Sequence, residues 1–164
     1  MHKSKRRLFA VLAALALALP GAANAQTYRY YAPNGYFLTT TPAAGFSTAL
    51  AQDLVNEVNA DRARYGLGQL SVDPALTEAA RTRAQEIARK FSHTRPDGRS
   101  WSTVYSGAYA KNIARGYSTA YKCQAAFMSS AGHRGNVLRP QYTKIGVCAY
   151  TVGSVTYWVQ LFGR

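Results

Sequence analysis

The chain has 164 residues, with 20 lysines and arginines against 7 acidic residues, and it contains two cysteines. This length fits one domain with a single sizeable core and excludes a multidomain assembly within the chain. The formal net charge of +13 favours anionic partners such as lipid head groups or acidic polysaccharide, or it serves solubility alone. The positive residues are scattered and no nucleic-acid-binding motif is present, so the sequence does not favour a specific nucleic acid ligand.

The first 25 residues have the pattern of a secretory signal peptide. Four of the first seven residues are basic, residues 8–19 are apolar, and residues 23–25 read Ala-Asn-Ala, which is typical of a cleavage site. A membrane anchor is the alternative, but the apolar run is short for a bilayer and no stop-transfer pattern follows it. We therefore expect a secreted chain from Gln26, extracellular or periplasmic, without a transmembrane segment. It would carry 16 basic and 7 acidic residues, a net charge of +9.

Residues 26–47 form a lead that is rich in Tyr, Thr and Pro. Its low regularity predicts a loose N-terminal arm or a short strand. Its tyrosines, Tyr28, Tyr30 and Tyr31, are interpreted either as an arm packed on the domain or as a strip facing carbohydrate or lipid.

Two helices are predicted next. Apolar residues recur at helical spacing from Thr48, and Gly66 is suited to the position just after the helix end. The second helix should begin at Pro74 with Asp73 as its N-cap, and it should end near Lys90.

The second half of the chain changes character. Residues 92–106 and 110–119 look irregular, and a third helix capped by Ser118 should run to about Ser130. Residues 144–152 and 154–163 are rich in β-branched and aromatic residues, which predicts an antiparallel hairpin. Helices followed by strands predict an α+β domain with helices packed on a small, mostly antiparallel sheet.

The two cysteines, Cys123 and Cys148, are predicted to form a disulfide, because export implies an oxidising compartment and the count is even. Such a bridge would stabilise the fold by roughly 3 kcal/mol in the chain-entropy account. The alternatives are two buried free thiols or a metal pair, although the spacing matches no zinc pattern.

Five segments in this order, "FSHTRPDGRSW", "KNIARGY", "FMSSAGHRGNVL", "KIGVCAY" and "YWVQLFG", resemble the CAP superfamily. This family, also called SCP/TAPS, includes cysteine-rich secretory proteins, antigen 5 and pathogenesis-related 1 proteins, and the chain resembles its bacterial secreted branch. The resemblance covers residues 49–163. It implies a three-layer α-β-α sandwich formed by a CAP domain over residues 48–164.

The resemblance also implies a central cleft. In many members this cleft holds two histidines and two glutamates, and some of these clefts bind a divalent metal. The histidines correspond to His93 and His133 here. Lys111 stands where one glutamate is expected, and Ser129 and Ser130 are the nearest residues to the place of the other.

The exchange of a carboxylate for an amine changes the expected chemistry. Two imidazoles alone supply fewer ligands than a tight zinc site needs, and Lys111 would repel the cation, so we expect no cofactor and weak metal binding or none. The lysine should also lower the pKa of both histidines, and burial should lower its own pKa. A cleft that contains His93, Lys111, His133, Ser129 and Ser130 is expected to suit an anion such as a carboxylate or phosphate.

Three functions remain open at this stage. The first is a non-catalytic binding module for an anionic or amphipathic ligand of the cell envelope or the extracellular space. The second is a peptidase- or esterase-like hydrolase that uses His133 with Ser130, Ser129 or a weakly bound metal. The third is a structural or partner-binding domain with a vestigial cleft, in which Asp97 and Asn136 support the histidines. Glu86 could turn inward as an acid, although an exposed position is favoured.

Overall fold

The computed structural model describes residues 28–31, 37–40 and 44–164. Its helices and strands follow each other as β1 (Tyr28–Tyr31), β2 (Phe37–Thr40), β3 (Gly45–Phe46), α1 (Thr48–Arg64), β4 (Ser71–Val72), α2 (Pro74–Arg89), β5 (Ala110–Arg115), α3 (Ala120–Ser129), α4 (Ala131–Val137), β6 (Lys144–Val152) and β7 (Val155–Gly163). A 3-10 turn covers Trp101–Val104. The predicted signal peptide lies outside the described residues, as do the side chains of the tyrosines in β1. In the part of the chain that is described, no helix is both long and apolar enough to cross a bilayer.

The main sheet of the described residues contains five strands. Its order is β3-β6-β7-β5, all antiparallel, and the short β4 pairs in parallel with the other end of β6. The predicted C-terminal hairpin is confirmed: β6 and β7 run from Lys144 opposite Gly163 to Val152 opposite Val155. Strands β1 and β2 form a separate antiparallel pair.

Side-chain alternation along β6 divides the core into two layers. Val147 and Ala149 lie in a cluster with buried residues of α1, α3 and α4, whereas Cys148 lies in a second cluster with α2. The alternation follows from the period of two in a strand. Helices therefore cover both faces of the sheet, as expected for an α+β three-layer sandwich.

Local capping explains where the first helices begin and end. The Ser47 hydroxyl accepts the Leu50 N–H at the start of α1, and Gly66 adopts a φ of 70° just beyond its end. At the start of α2, the predicted cap Asp73 accepts the Leu76 N–H. The third helix is capped by Thr119 and not by Ser118, so the predicted cap is displaced by one residue.

The contact between α2 and the sheet depends on Gly146. A Cβ atom built on Gly146 would lie 2.1 Å from the backbone carbon of Leu76. A glycine is therefore required for the close approach of α2 to β6.

One prediction about an irregular segment is wrong. Residues 110–115 form strand β5, which pairs with β7. The segment around His133, for which no element was predicted, forms the short helix α4. The polar residues Lys111 and Asn112 interrupt the apolar pattern in β5, so the strand owes its presence to pairing with β7 and not to its own periodicity.

The disulfide prediction is also wrong. Cys123 and Cys148 are free and buried, the first in the cluster below α1 and α3 and the second in the cluster below α2. The sheet separates the two side chains, because Cys148 points to the face opposite the neighbouring Val147. Burial raises the pKa of Cys123 and raises that of Cys148 to about 12, which keeps both thiols protonated.

Candidate functional site

His133 lies in α4, the seven-residue helix that follows α3 with Ser130 between them. Its half-buried ring meets the edge of Phe127, with the ring centroids 5.2 Å apart and the planes at 71°. This aromatic contact packs the imidazole against α3.

Lys111 and His93 complete what we call the imidazole–lysine cluster, His93, Lys111 and His133. Lys111 is half-buried on β5, and its Nζ lies 4.7 Å from the centroid of the Trp101 ring, which is a cation–π contact. His93 is more exposed, in the loop after α2.

The pKa directions show that these groups share one local electric field. Burial, with a contribution from the charge of Arg83, lowers the pKa of Lys111 to about 8. Burial and then the charge of Lys111 lower the pKa of His133. The pKa of His93 is lowered by burial first, then by Lys111, His133 and Arg83. The three side chains therefore lie within electrostatic range of one another, and the lowered pKa values favour the neutral form of both imidazoles.

Glu86 turns inward, contrary to the exposed position that the sequence favoured. Its carboxylate accepts hydrogen bonds from Arg83, whose side chain is fully buried, and from Arg95 at 2.7 and 2.9 Å. Burial alone would raise the pKa of Glu86, but these two arginines outweigh it and the pKa is lowered. Because both carboxylate oxygens are engaged, Glu86 is not free to act as an acid or a base in the cleft.

A buried amide fixes α4 against the sheet. Asn112 donates through its Nδ2 to the carbonyl of His133 at 3.2 Å and to the Gln160 Oε1 at 2.9 Å, and it accepts a 2.9 Å bond from Asn136. Asn112 thus supports the backbone of the short helix α4. Asn136 also donates to the Lys111 carbonyl at 3.1 Å.

This amide is one link in a longer chain of side-chain hydrogen bonds, which we call the buried amide chain. Gln160 donates to Gln124 at 2.9 Å, and Gln124 donates to Asp61 at 2.9 Å. The chain therefore runs from α1 through α3, β7 and β5 to α4. It links the position of His133 to the packing of the whole helical layer.

The two predicted serines have different surroundings. The exposed Ser129 donates its hydroxyl to the Ala125 carbonyl at 2.8 Å, back along its own helix. Ser130 lines the same pocket as His133. Within residues 44–164 no hydrogen bond joins either hydroxyl to an imidazole. Asp97 is paired with Arg99 and does not contact a histidine through a hydrogen bond.

The pocket beside His133 has a volume of about 310 Å³, and we call it the His133 cleft. Its walls come from β5, α3, α4 and the segment that follows α2, and they consist of Phe91, Ile113, Ala114, Arg115, Tyr117, Ala126, Phe127, Ser130 and His133. The Arg115 guanidinium stacks over Phe91 at 5.0 Å. The cleft thus combines aromatic walls with a cationic rim, a feature that the sequence pattern did not reveal because Phe91 and Tyr117 lie far apart along the chain.

These residues offer few ligands to a divalent metal. Among the described residues, no group of three or more His, Cys, Asp or Glu side chains is placed to share an ion. The charge of Lys111 lowers the pKa of both imidazoles that would have to ligate an ion, so it also opposes a cation there. The donor set is two imidazoles without a carboxylate, which is short of a protein zinc site.

Comparison with known proteins identifies relatives of the chain. The CAP family model, described as the cysteine-rich secretory protein family, matches residues 55–162. Protein YkwD of Bacillus subtilis (strain 168) is 35% identical over 133 residues. That match covers 76% of this chain and 51% of the relative, so the chain spans about half the length of the curated protein it matches.

Solved structures share the fold. An extracellular protein with an SCP domain from Bacillus anthracis str. Ames superposes with a TM-score of 0.62 at 22% identity, over 79% of this chain and 47% of that one. An outer surface protein of Borrelia burgdorferi superposes with a TM-score of 0.60 at 20% identity, over 69% and 90% of the two chains. Both neighbours are described as extracellular or surface proteins.

Proposed function

The chain belongs to the CAP (cysteine-rich secretory protein) family, and from that premise we propose that it is a secreted, non-catalytic binding module. Its ligand is an anionic, amphipathic component of the cell envelope or the extracellular space, such as an anionic lipid or an acidic polysaccharide. The His133 cleft receives the apolar part of this ligand, and the imidazole–lysine cluster receives its anionic part.

The observation that carries the proposal is the half-buried ammonium group of Lys111. It lies over Trp101, near the buried Arg83, and the nearby carboxylate of Glu86 is already held by two arginines. A cation that is partly removed from water, and that forms no ion pair within the described residues, loses solvation that an anionic ligand can restore. The aromatic walls of the His133 cleft add apolar surface beside that charge, which suits an amphipathic ligand better than a bare ion.

Binding to liposomes tests the proposal. Vesicles of phosphatidylglycerol and phosphatidylcholine are titrated with the chain from residue 26 onward, and binding is measured by co-sedimentation. We expect saturable binding that weakens as salt rises, because exposed charges are screened over about 10 Å at 0.1 M salt. Lys111→Glu should reduce the affinity by about tenfold or more, since it replaces a favourable charge contact with a repulsive one.

The matched control is Lys122→Glu, which makes the same change of net charge at an exposed position of α3. If the two variants lose the same affinity, the binding reflects net charge alone and the cleft is not the binding site. Acidic polysaccharide could instead bind where vesicles do not. If that binding also depends on Lys111, the ligand is a polysaccharide and the proposed binding site is supported.

A hydrolase is the second candidate, because Ser130 and His133 line one pocket. Activity toward p-nitrophenyl esters and a labelled peptide library would support it if turnover is lost in both His133→Ala and Ser130→Ala while the fold is retained. A partner-binding domain with a vestigial cleft becomes the better description if neither turnover nor ligand binding depends on any residue of the imidazole–lysine cluster.

Metal binding and secretion are part of the same proposal. We expect zinc to bind weakly or not at all, and calorimetry of the wild type against Lys111→Glu measures this directly: the variant should bind zinc more tightly. We also expect the mature chain to start at Gln26 and to be found outside the cytoplasm, which mass spectrometry of cell fractions checks.

A further inference from the structure

A second pocket lies at the edge of the sheet opposite the His133 cleft, between α1 and α2. Its volume is about 150 Å³, and it is lined by Phe46, Ser47, Thr48, Ala51, Gln52, Val55, Val72, Thr77, Arg81, Val147, Cys148 and Ala149. The His133 cleft lies along β5 and shares none of these residues. This sheet-edge pocket has no role in the function proposed above.

The pocket coincides with a gap in the sheet. Strand β3 pairs with Tyr150 and Thr151 at one end of β6, and β4 pairs with Lys144 and Ile145 at the other end. Among residues 44–164, no strand pairs with the outer edge of β6 between these two points. Val147 lies in the middle of that gap.

The backbone of Val147 faces the gap. The carbonyls of Ile145 and Ala149 point away from β7, because they accept hydrogen bonds from the N–H groups of Asp73 and Ser47, each at 2.9 Å. Residues two apart in a strand direct their backbone groups to the same edge, so the N–H and C=O of Val147 point the same way. Val147 is also a lining residue of the pocket, and its exposed fraction is 4%. A buried donor and acceptor pair of this kind calls for a partner.

The surroundings of this donor and acceptor define the chemistry of the partner. The guanidinium of Arg81 lies over the Phe46 ring at 5.2 Å and, within the described part of the chain, forms no ion pair. It therefore offers a carboxylate a charged hydrogen bond at the rim. A cavity of about 150 Å³ admits a group about the size of benzene, which matches one small apolar side chain and is too small for a long acyl chain.

From this geometry we propose that the sheet-edge pocket binds the carboxyl-terminal end of an extended peptide whose last residue is small and apolar. One peptide unit pairs with the N–H and C=O of Val147 and so continues the sheet across the gap. The last side chain enters the apolar space between Val55, Val72 and Ala149, and the terminal carboxylate meets Arg81. This is strand addition at a sheet edge combined with capture of a chain terminus.

The test uses a peptide of defined chemistry, acetyl-Ala-Ala-Val, with either a free carboxylate or a carboxamide end. Each is titrated into the ¹⁵N-labelled chain and followed by NMR. We expect saturable shifts of the amides of Val147 and Ala149, with the free carboxylate bound about tenfold more tightly than the carboxamide. Arg81→Gln should remove this tenfold preference. Arg89→Gln, a change on the same helix away from the pocket lining, should keep it.

Two further measurements separate the possible outcomes. Ala51→Leu narrows the cavity without touching Arg81 and should weaken both peptides. Decanoate tests whether the pocket prefers an acyl chain. The proposal is overturned if neither peptide shifts Val147 and Ala149, if wild type binds both peptides equally, or if decanoate binds the pocket more tightly than the peptide. None of these outcomes depends on ligand binding at the imidazole–lysine cluster.

Discussion

At the scale of single residues, Lys111 determines the chemistry of the candidate site. The amine at this position of β5 lowers the pKa of both neighbouring imidazoles, in addition to the effect of their burial. The ammonium group also loses its proton more readily than an exposed lysine, because burial lowers its pKa to about 8. A change of pH around 8 therefore changes the charge of the imidazole–lysine cluster.

The pH dependence of anion binding follows from that pKa. Free protein loses the Lys111 proton as pH rises through about 8, so affinity for phosphatidylglycerol vesicles should fall between pH 7 and pH 9. Lys111→Arg keeps its charge over this range and should show a much flatter profile. As pH falls below 7, the histidines gain positive charge only under acidic conditions, because their pKa values are lowered. Affinity should therefore show a second increase there. Co-sedimentation at constant ionic strength measures all three effects, and parallel profiles for wild type and Lys111→Arg would contradict the assignment.

His93, Lys111 and His133 were selected from the sequence because the motifs around them resemble those of the family. The sequence was not sufficient to predict what holds them. Phe127 and Asn112 support His133 through a ring contact and a side-chain bond, and neither contact has a signature in the local pattern. The inward position of Glu86 was missed for the same reason, since its arginine partners come from two different segments.

At the scale of secondary-structure elements, the buried amide chain couples the helical layer to the cleft. Its hydrogen-bonded side chains belong, in order, to α1, α3, β7, β5 and α4. Gln160, at its centre, is fully buried. A single member therefore influences both stability and the position of His133.

Gln160→Leu should destabilise the fold by about 1–3 kcal/mol, because it leaves Asn112 and Gln124 with buried unpaired groups. Urea denaturation measures this loss, and the ¹H NMR titration of His133 should show an altered pKa because its helix is less constrained. Gln52→Leu removes an exposed hydrogen bond between two side-chain amides of α1, so it should lower the free energy of unfolding much less. Equal losses in the two variants would show that the buried amide chain has no special role.

Gly146→Ala tests the contact between α2 and β6. The added methyl group would lie 2.1 Å from the Leu76 backbone, so α2 must shift and the loss should be about 1–3 kcal/mol or more. Gly68→Ala adds the same group where no atom lies within 4 Å and should be nearly neutral. Thermal unfolding of the two variants provides the comparison, and an unchanged midpoint for Gly146→Ala would contradict the close approach.

Elements with local signals were predicted well, and elements without them were not. Asp73-Pro74 and the alternation around Cys148 each carry their own signal, so α2 and the final hairpin were found from sequence. Strand β5 carries Lys111 and Asn112 in its first half and exists because β7 pairs with it. Such a strand is specified by the rest of the fold, which a local pattern does not contain.

At the scale of the whole molecule, the sheet keeps the two cysteines apart. A reducing agent should therefore leave the melting temperature unchanged. A thiol reagent such as DTNB should react with neither cysteine in the native protein and with both in guanidinium chloride, because both thiols are buried and protonated. A melting temperature that falls on reduction would support the predicted disulfide and contradict the two free thiols.

Strands β6 and β7 follow all the helices along the chain, yet they occupy the centre of the sheet, and both core layers are built on them. Until residues 144–163 have been synthesised, the apolar stripes of α1 and α2 have no surface to cover them. A nascent chain should thus remain open to proteases, and to export machinery that threads unfolded polypeptides, until β6 and β7 have been synthesised. Its many contacts between distant residues also predict slow acquisition of the native state after release, compared with a helical bundle of the same size.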